Sequence, residues 1–229
     1  MSNTFDAPIS CAIFDCDGTL VDSEKLSHQA LVETFSTFGV RIDLQESLDH
    51  FEGGKLTAVL QQTCERNGAN IPIDQLEPRF RQLCHQYFDA WLQPIVGIET
   101  LLQTLNQQGI DVCVASNGPV EKMEHALRLT KLLPYFEHRL FSAFDTNSWK
   151  PAPDVLHYAA MNMACPTEQC VFIDDTNKGI QAGINAQMRT VHFNSNPNVP
   201  TTEHPLVTRA FSIEDLLAFF QRSPASLIR

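Results

Sequence analysis

Residues 11–25 read CAIFDCDGTLVDSEK. An apolar run from Cys11 to Phe14 ends in two carboxylates one residue apart, Asp15 and Asp17, followed by Gly18. Acids this close repel one another unless a cation, a proton or a phosphoryl group lies between them. A buried strand that delivers both acids to its end therefore calls for a partner supplied by the rest of the chain.

From about Ile95 onward the pattern alternates. Residues 97–108, GIETLLQTLNQQ, place Ile98, Leu101, Leu102 and Leu105 at helical spacing, with Gly109 as the stop. Residues 110–116, IDVCVAS, read as a short apolar strand. Pro119 then opens a helix carrying Met123, Ala126, Leu127 and Leu129, in keeping with proline in a first helical turn. Residues 139–144 read as a strand, 153–163 as a helix, 170–175 as a strand, GIQAGINA as a helix, RTVHFN as a strand and 213–221 as a closing helix. The stretch 194–205, rich in Pro, Thr and Asn, reads as a surface connection. Strands alternating with helices predict a parallel sheet covered on both faces, an α/β fold of Rossmann-like kind.

Residues 24–93 differ. Leu26, Ala30, Leu31, Phe35 and Phe38 form one amphipathic helical stripe, a second helix is expected near 55–66, and Phe80, Leu83, Cys84, Tyr87, Phe88, Trp91 and Leu92 form another. The expected organisation is a core of residues 1–23 and 94–229 interrupted by an all-helical cap domain at 24–93, placed to close over a site.

Composition narrows the function. A net charge of −11 over 229 residues argues against partners that need a basic face, so neither nucleic acid nor an anionic membrane surface is expected. The same charge requires an anionic substrate to be drawn in by a local cation. Seven cysteines, at 11, 16, 64, 84, 113, 165 and 170, show no C-x-x-C spacing and read as reduced thiols. With no basic start, no signal-like segment and no long apolar stretch, a cytoplasmic protein is expected, acting as a monomer or weak homodimer.

In open parallel sheets ligands bind beyond the carboxyl ends of the strands. Four chain segments converge there: Asp15/Asp17, Ser116/Asn117, the run leading to Lys150, and Asp174/Asp175. Metal-assisted phosphoryl transfer needs this set. Asp15 can attack phosphorus, Asp17 can protonate the leaving alcohol, and a Mg²⁺ held by strand-end oxygens can neutralise carboxylate against phosphate. Ser116 can bind phosphoryl oxygens, and Lys150 can offset their charge. Each piece has an ordinary reading too: a turn for D-x-D, a helix cap for Ser116, a surface lysine for Lys150, an N-cap for Asp174-Asp175. Their joint occurrence at separate strand ends favours the chemical reading.

FDCDGTLVDSE, SNG, KPAPD and IDDTNKGIQAG resemble the four motifs of the haloacid dehalogenase-like hydrolases over nearly the whole chain. More narrowly, they resemble the subgroup with a small helical cap that holds β-phosphoglucomutases and sugar-phosphate phosphatases. The resemblance implies Asp15 as nucleophile, Asp17 as acid/base, Ser116 and Asn117 as phosphate contacts and Lys150 as the phosphate-side cation. It implies Mg²⁺ on Asp15, the Asp17 carbonyl and Asp175, with Asp174 as a further ligand or one step behind. The substrate it implies is a small phosphorylated metabolite, a sugar phosphate or a phosphogluconate-like acid, hydrolysed through an aspartyl-phosphate. Substrate choice is expected in the cap, at Glu24 and at the loop holding Gly53, Gly54 and Lys55. Lys122 reads as a surface-helix lysine, and the eight histidines show no ligand pair.

Two other activities remain open. Mutases of this subgroup carry a histidine where Ser27 stands here, with His28 one place late, which favours water over a sugar hydroxyl as acceptor. A phospho-accepting receiver module uses similar residues, but its acceptor lies on a middle strand and it has no helical insert.

Overall fold

The structure is a computed structural model that describes residues 7–50 and 54–222; Gly53 of the expected cap loop lies outside them. Its sheet is parallel, in the order β3-β2-β1-β4-β5-β6. These strands are β1 (Cys11–Phe14), β2 (Asp111–Ser116), β3 (Leu140–Ser142), β4 (Cys170–Asp174), β5 (Arg189–Phe193) and β6 (Val207–Ala210). The chain builds outward from β1 in one direction and returns to add β4 on its other side. β1 therefore stands at the switch point where such sheets bind ligands. Phe14 pairs with Val114 on one side and Ile173 on the other, so Asp15, Ser116 and Asp174 all emerge at one edge.

Helices cover both faces, as the apolar strands require. Alternate β1 residues serve opposite layers. Ala12 and Phe14 pack with α5 (Ile98–Gln107), α6 (Val120–Leu129) and α10 (Ile213–Arg222). Cys11 and Ile13 pack with α8 (Asp154–Asn162) and α9 (Asn177–Asn185). All seven cysteines are free thiols, and all but Cys165 are buried.

Among the described residues between β1 and α5 lie four helices: α1 (Glu24–Thr37), α2 (Leu44–His50), α3 (Leu56–Arg66) and α4 (Ile73–Trp91). They have a core of their own, with Leu31, Phe35, Ile42, Leu60 and Leu76 at its centre. Phe88 and Leu92 from the α4 end join the main core instead, which docks the helical insert on the sheet domain.

Some elements differ from expectation. β3 stops at Ser142, and the next residues form α7 (Ala143–Thr146). The Ser142 hydroxyl accepts from the Phe144 N–H while Asp145 accepts from the Ser142 N–H, a reciprocal cap that outweighs the apolar Ala143-Phe144 pair. α4 begins at Ile73, ahead of the stripe starting at Phe80, because Pro78 is accommodated inside it. β6 and α2 are additions to the elements that the sequence pattern predicts. β6 is a half-exposed edge strand, with Thr208 exposed and Arg209 half-buried, so it lacks the apolar run of the central strands.

Candidate active site

Asp15 leaves β1 with its N–H on the Ile173 carbonyl (2.9 Å) and its side chain buried. Lys150, also buried, sets its Nζ 2.6 Å from Asp174 Oδ2 and 3.0 Å from Asp15 Oδ1. The contact to Asp15 is an ion pair outside hydrogen-bond alignment, so Asp15 Oδ1 is buried without an aligned donor. Burial raises the Asp15 pKa, Lys150 counteracts it, and Asp174 and Asp17 add to the rise, leaving the carboxyl above its ordinary range. Burial alone would lower Lys150, but the two carboxylates more than offset it and hold the ammonium charged.

Asp174 is engaged from both sides. Its Oδ2 takes the Lys150 ammonium, and its Oδ1 takes the Thr176 N–H (2.8 Å) and hydroxyl (2.7 Å). Thr176 also caps α9 by accepting from the Gly179 N–H, and a Cβ at Gly179 would fall 1.9 Å from the Asp174 carboxylate. Asp175 accepts from Thr19 Oγ1 at 2.9 Å. Burial, then the charges of Asp174 and Asp15, push its carboxyl well above the ordinary range. Gly18, at φ +76°, lets the chain turn against it: a Cβ there would lie 2.2 Å from Asp175 Oδ2.

Asp17 sits apart from this trio. The Ser23 hydroxyl, at the start of α1, donates to its Oδ1 at 2.6 Å instead of capping the helix. Lys122 from α6 donates to Oδ2 at 2.6 Å. Burial raises the Asp17 pKa, but Lys122 and these bonds outweigh it and hold the carboxylate below its ordinary range. Lys122, expected on the surface, is thus brought into the site, with its ammonium 5.6 Å from the Phe88 ring of α4. Its helical setting offers no sequence signal beyond its place five residues after Asn117 on the helix that Pro119 opens.

Ser116 is buried at the end of β2, its Oγ accepting from the Gly118 N–H at 3.2 Å. The Asn117 side chain is spent on Lys150: its Oδ1 accepts from the Lys150 N–H at 2.8 Å, and its amide donates to the Lys150 carbonyl at 3.4 Å. Asn117 therefore holds the lysine in place. A cavity of about 670 Å³ opens over these groups between sheet and helical insert; Glu24 and Gly54 line it from the insert, and Lys122, Lys150 and Lys178 from the core. Lys55 points elsewhere, its ammonium 4.3 Å from the Trp149 ring centroid on the core side.

The carboxylates fit a hard divalent cation. Asp15, Asp174 and Asp175 present oxygens within 4.8 Å of one another, Asp15 Oδ1 lacks an aligned donor, and all the donors are oxygen. Because both Asp174 oxygens are already engaged, Asp15 and Asp175 are the better placed to reach such an ion directly. His85 and His125, on different helices, stack with ring centroids 3.9 Å apart, a contact their separation along the chain does not announce.

The family model described as Haloacid dehalogenase-like hydrolase matches residues 12–193. The chain belongs to that family, and it is an enzyme of the phosphatase kind. It is 36% identical over 200 residues to the 6-phosphogluconate phosphatase of Escherichia coli (strain K12), covering 87% of this chain and 89% of that protein. A HAD family hydrolase from Deinococcus radiodurans R1, solved with bound phosphate and sodium, superposes with TM-score 0.73 at 26% identity, over 97% of this chain and 99% of that one. A haloacid dehalogenase-like protein from Agrobacterium tumefaciens str. C58 superposes with TM-score 0.76 at 23% identity, over 93% and 98%. Among the described residues no helix is long and apolar enough to cross a membrane.

Proposed function

We propose that this phosphatase hydrolyses the phosphate monoester of a small sugar acid or sugar, with 6-phosphogluconate the first candidate, through an aspartyl-phosphate on Asp15. The observation that carries the chemistry is the Lys150 ammonium set between Asp15 and Asp174 at adjacent strand ends, 3.0 and 2.6 Å away. The 36% identity to a 6-phosphogluconate phosphatase supports the substrate.

In this reading the Asp15 carboxylate forms the bond to phosphorus as the bond to the sugar oxygen breaks. Asp17 delivers the proton that oxygen needs, and later takes one from the water that cleaves the aspartyl-phosphate. Lys150 offsets charge on the phosphoryl oxygens while Asn117 fixes its backbone, and Ser116 donates to one of those oxygens. Mg²⁺, held by Asp15, Asp175 and the Asp17 carbonyl with Asp174 supporting Lys150 behind them, would supply charge neutralisation between nucleophile and phosphate. The division that serves this chemistry is a core of residues 1–23 and 94–229 with a cap of 24–93. Glu24 and Gly54 face the substrate from the cap, and Lys55 anchors the cap edge on Trp149.

A mutase reading is less favoured, because Ser27 replaces the expected histidine and the neighbouring His28 has its Nδ1 2.8 Å from Ser47 Oγ within the cap. The deciding experiment is phosphate release from a panel of phosphorylated metabolites that includes 6-phosphogluconate and β-glucose 1-phosphate, each with and without Mg²⁺. Hydrolysis of 6-phosphogluconate far above the rest is expected. Conversion of β-glucose 1-phosphate to an isomer without phosphate release would establish the mutase instead.

A further inference from the structure

His85 and Asp89 lie one turn apart on α4, so they project from one face of it. That face meets α6 at His125. Asp89 Oδ2 lies 3.0 Å from His85 Nδ1, and Asp89 Oδ1 lies 3.0 Å from His125 Nε2. The imidazoles stack at 3.9 Å with their planes 20° apart. His85 Nδ1 is hydrogen-bonded to Asp89 Oδ2, whereas His125 Nε2 is shielded from solvent with Asp89 off its hydrogen-bond axis, so that nitrogen's in-plane position is not filled by the carboxylate. One oxygen and two nitrogen donors, all within 4.8 Å of one another, are thereby gathered from the cap on one side and the core on the other.

We propose that His85, Asp89 and His125 form a second metal site, for a nitrogen-preferring divalent cation of the Zn²⁺ class, that clasps α4 of the cap to α6 of the core. The donor set matches the three protein ligands of an open zinc site, with a fourth position left to water. Imidazole nitrogens suit zinc and its neighbours, whereas the all-oxygen cluster at Asp15 and Asp175 suits magnesium, so two ions can be sorted between two sites by donor chemistry alone. Metal binding replaces the His85 Nδ1–Asp89 Oδ2 hydrogen bond and turns the two rings out of their parallel stack, so that both nitrogens reach bond length, about 2.0–2.1 Å from zinc.

The position gives the ion a consequence. Lys122 lies one turn before His125 on α6, and Phe88 lies between His85 and Asp89 on α4. The clasp therefore stands beside the Lys122–Asp17 pair, at the contact where α4 of the cap meets α6 of the core. A cation bonded to both helices ties cap to core at that contact.

The test is zinc binding in the presence of millimolar Mg²⁺, read by competition with a chromophoric chelator, with the visible spectrum of Co²⁺ as a second readout. Wild type is expected to hold one zinc equivalent and to give a Co²⁺ spectrum of nitrogen-and-oxygen ligation. Asp15→Asn should retain both, because the oxygen cluster is separate. His85→Gln with His125→Gln should weaken zinc by roughly a hundredfold or more, since even groups behind the ligands are worth about ten- to a hundredfold. His85→Gln alone, at an exposed position, repeats the test without disturbing the packed α6 face. Equal binding by wild type and the histidine variants overturns the site. So does loss of the equivalent in Asp15→Asn, or wild type that takes up no zinc beyond the Mg²⁺ cluster and uses Asp89 only as an ion-pair partner.

Discussion

Lys122 Nζ donates to Asp17 Oδ2 at 2.6 Å, and this bond from α6 keeps the proposed acid/base charged while substrate is absent. An acid that must give a proton to a leaving alcohol cannot do so in that state. In the proposed mechanism the lysine and aspartate separate as substrate enters, with the Lys122 charge passing to the incoming phosphate ester. Asp17 then experiences its burial without its counter-charge, and takes up a proton.

Replacing Lys122 by Met separates the two effects. Without the ammonium, the burial that raises Asp17 wins, so the Asp17 pKa moves up. In the pH profile of kcat/KM the limb lost on deprotonation of the acid should move to higher pH. The rate at neutral pH should fall by roughly ten- to a hundredfold, the worth of a charge-assisted hydrogen bond of about 1.5–3 kcal/mol. An unmoved profile with the same loss in rate would make Lys122 a substrate contact alone.

Asp15→Asn should lower phosphate release by roughly 10⁴-fold or more, because an amide does not attack phosphorus and removal of a nucleophile costs on this scale. Folding should survive. Lys150 keeps its 2.6 Å bond to Asp174, and one member of a crowded carboxylate cluster is neutralised. Circular dichroism melts in EDTA should show a Tm equal to or above wild type. A variant that keeps a tenth of the wild-type rate would remove Asp15 from the nucleophile's role.

Metal and pH should act against each other on stability. Asp15 has its folded pKa raised from 3.8 to about 6, and Asp175 is also raised, chiefly by burial and then by the charges of Asp174 and Asp15. A raised carboxyl binds its proton more tightly folded than unfolded, so its contribution is complete below the unfolded value and is lost as pH climbs through the folded one. Asp17, depressed, has the opposite sign and loses its contribution only as pH falls below the ordinary carboxylate range. His28 and His125, lowered by burial, oppose the Asp15 contribution between pH 7 and pH 5, so Asp15's share is read against Asp15→Asn: in EDTA the wild-type Tm should gain on the variant's on going from pH 7 to pH 5. Millimolar Mg²⁺ should raise the Tm at pH 7 and flatten the slope, as a ligand of the charged carboxylates must. A wild-type Tm that gains nothing on Asp15→Asn between pH 7 and pH 5 would contradict the burial of Asp15.

The sheet and its acids were legible because both rest on local pattern. The run Cys11 to Phe14 is buried on both faces, so it is apolar throughout, and the acids that follow it are anomalous at once. The same logic exposed Ser116 and Asp174-Asp175. Lys122, His85 and His125 were not legible, because their meaning arises only when α4 docks against α6, and a docked helix surface carries the same lysines and histidines as a solvated one. The start of α4 was masked by Pro78, and β6 by its half-exposed edge position.

Lys55 shows how a cation beside a glycine can be drawn to the wrong partner. Gly54, at φ +116°, does face the cavity, close enough that a Cβ there would lie 3.4 Å from the Lys178 ammonium. The next residue turns away, and Lys55 lies 4.3 Å from the centroid of Trp149 on the core. An exposed cation–π contact is worth about 0.5–1 kcal/mol, or roughly two- to fivefold in an equilibrium. That is too little to read a substrate and enough to bias a cap toward closure. Lys55→Ala should therefore lower kcat/KM for 6-phosphogluconate and for p-nitrophenyl phosphate by the same factor, roughly two- to fivefold. Trp149→Leu should reproduce the effect, and the double variant should add nothing further, since the two side chains make one contact. A KM increase confined to 6-phosphogluconate would instead put the Lys55 ammonium on the substrate, and would require the cap loop to swing it away from Trp149 during turnover.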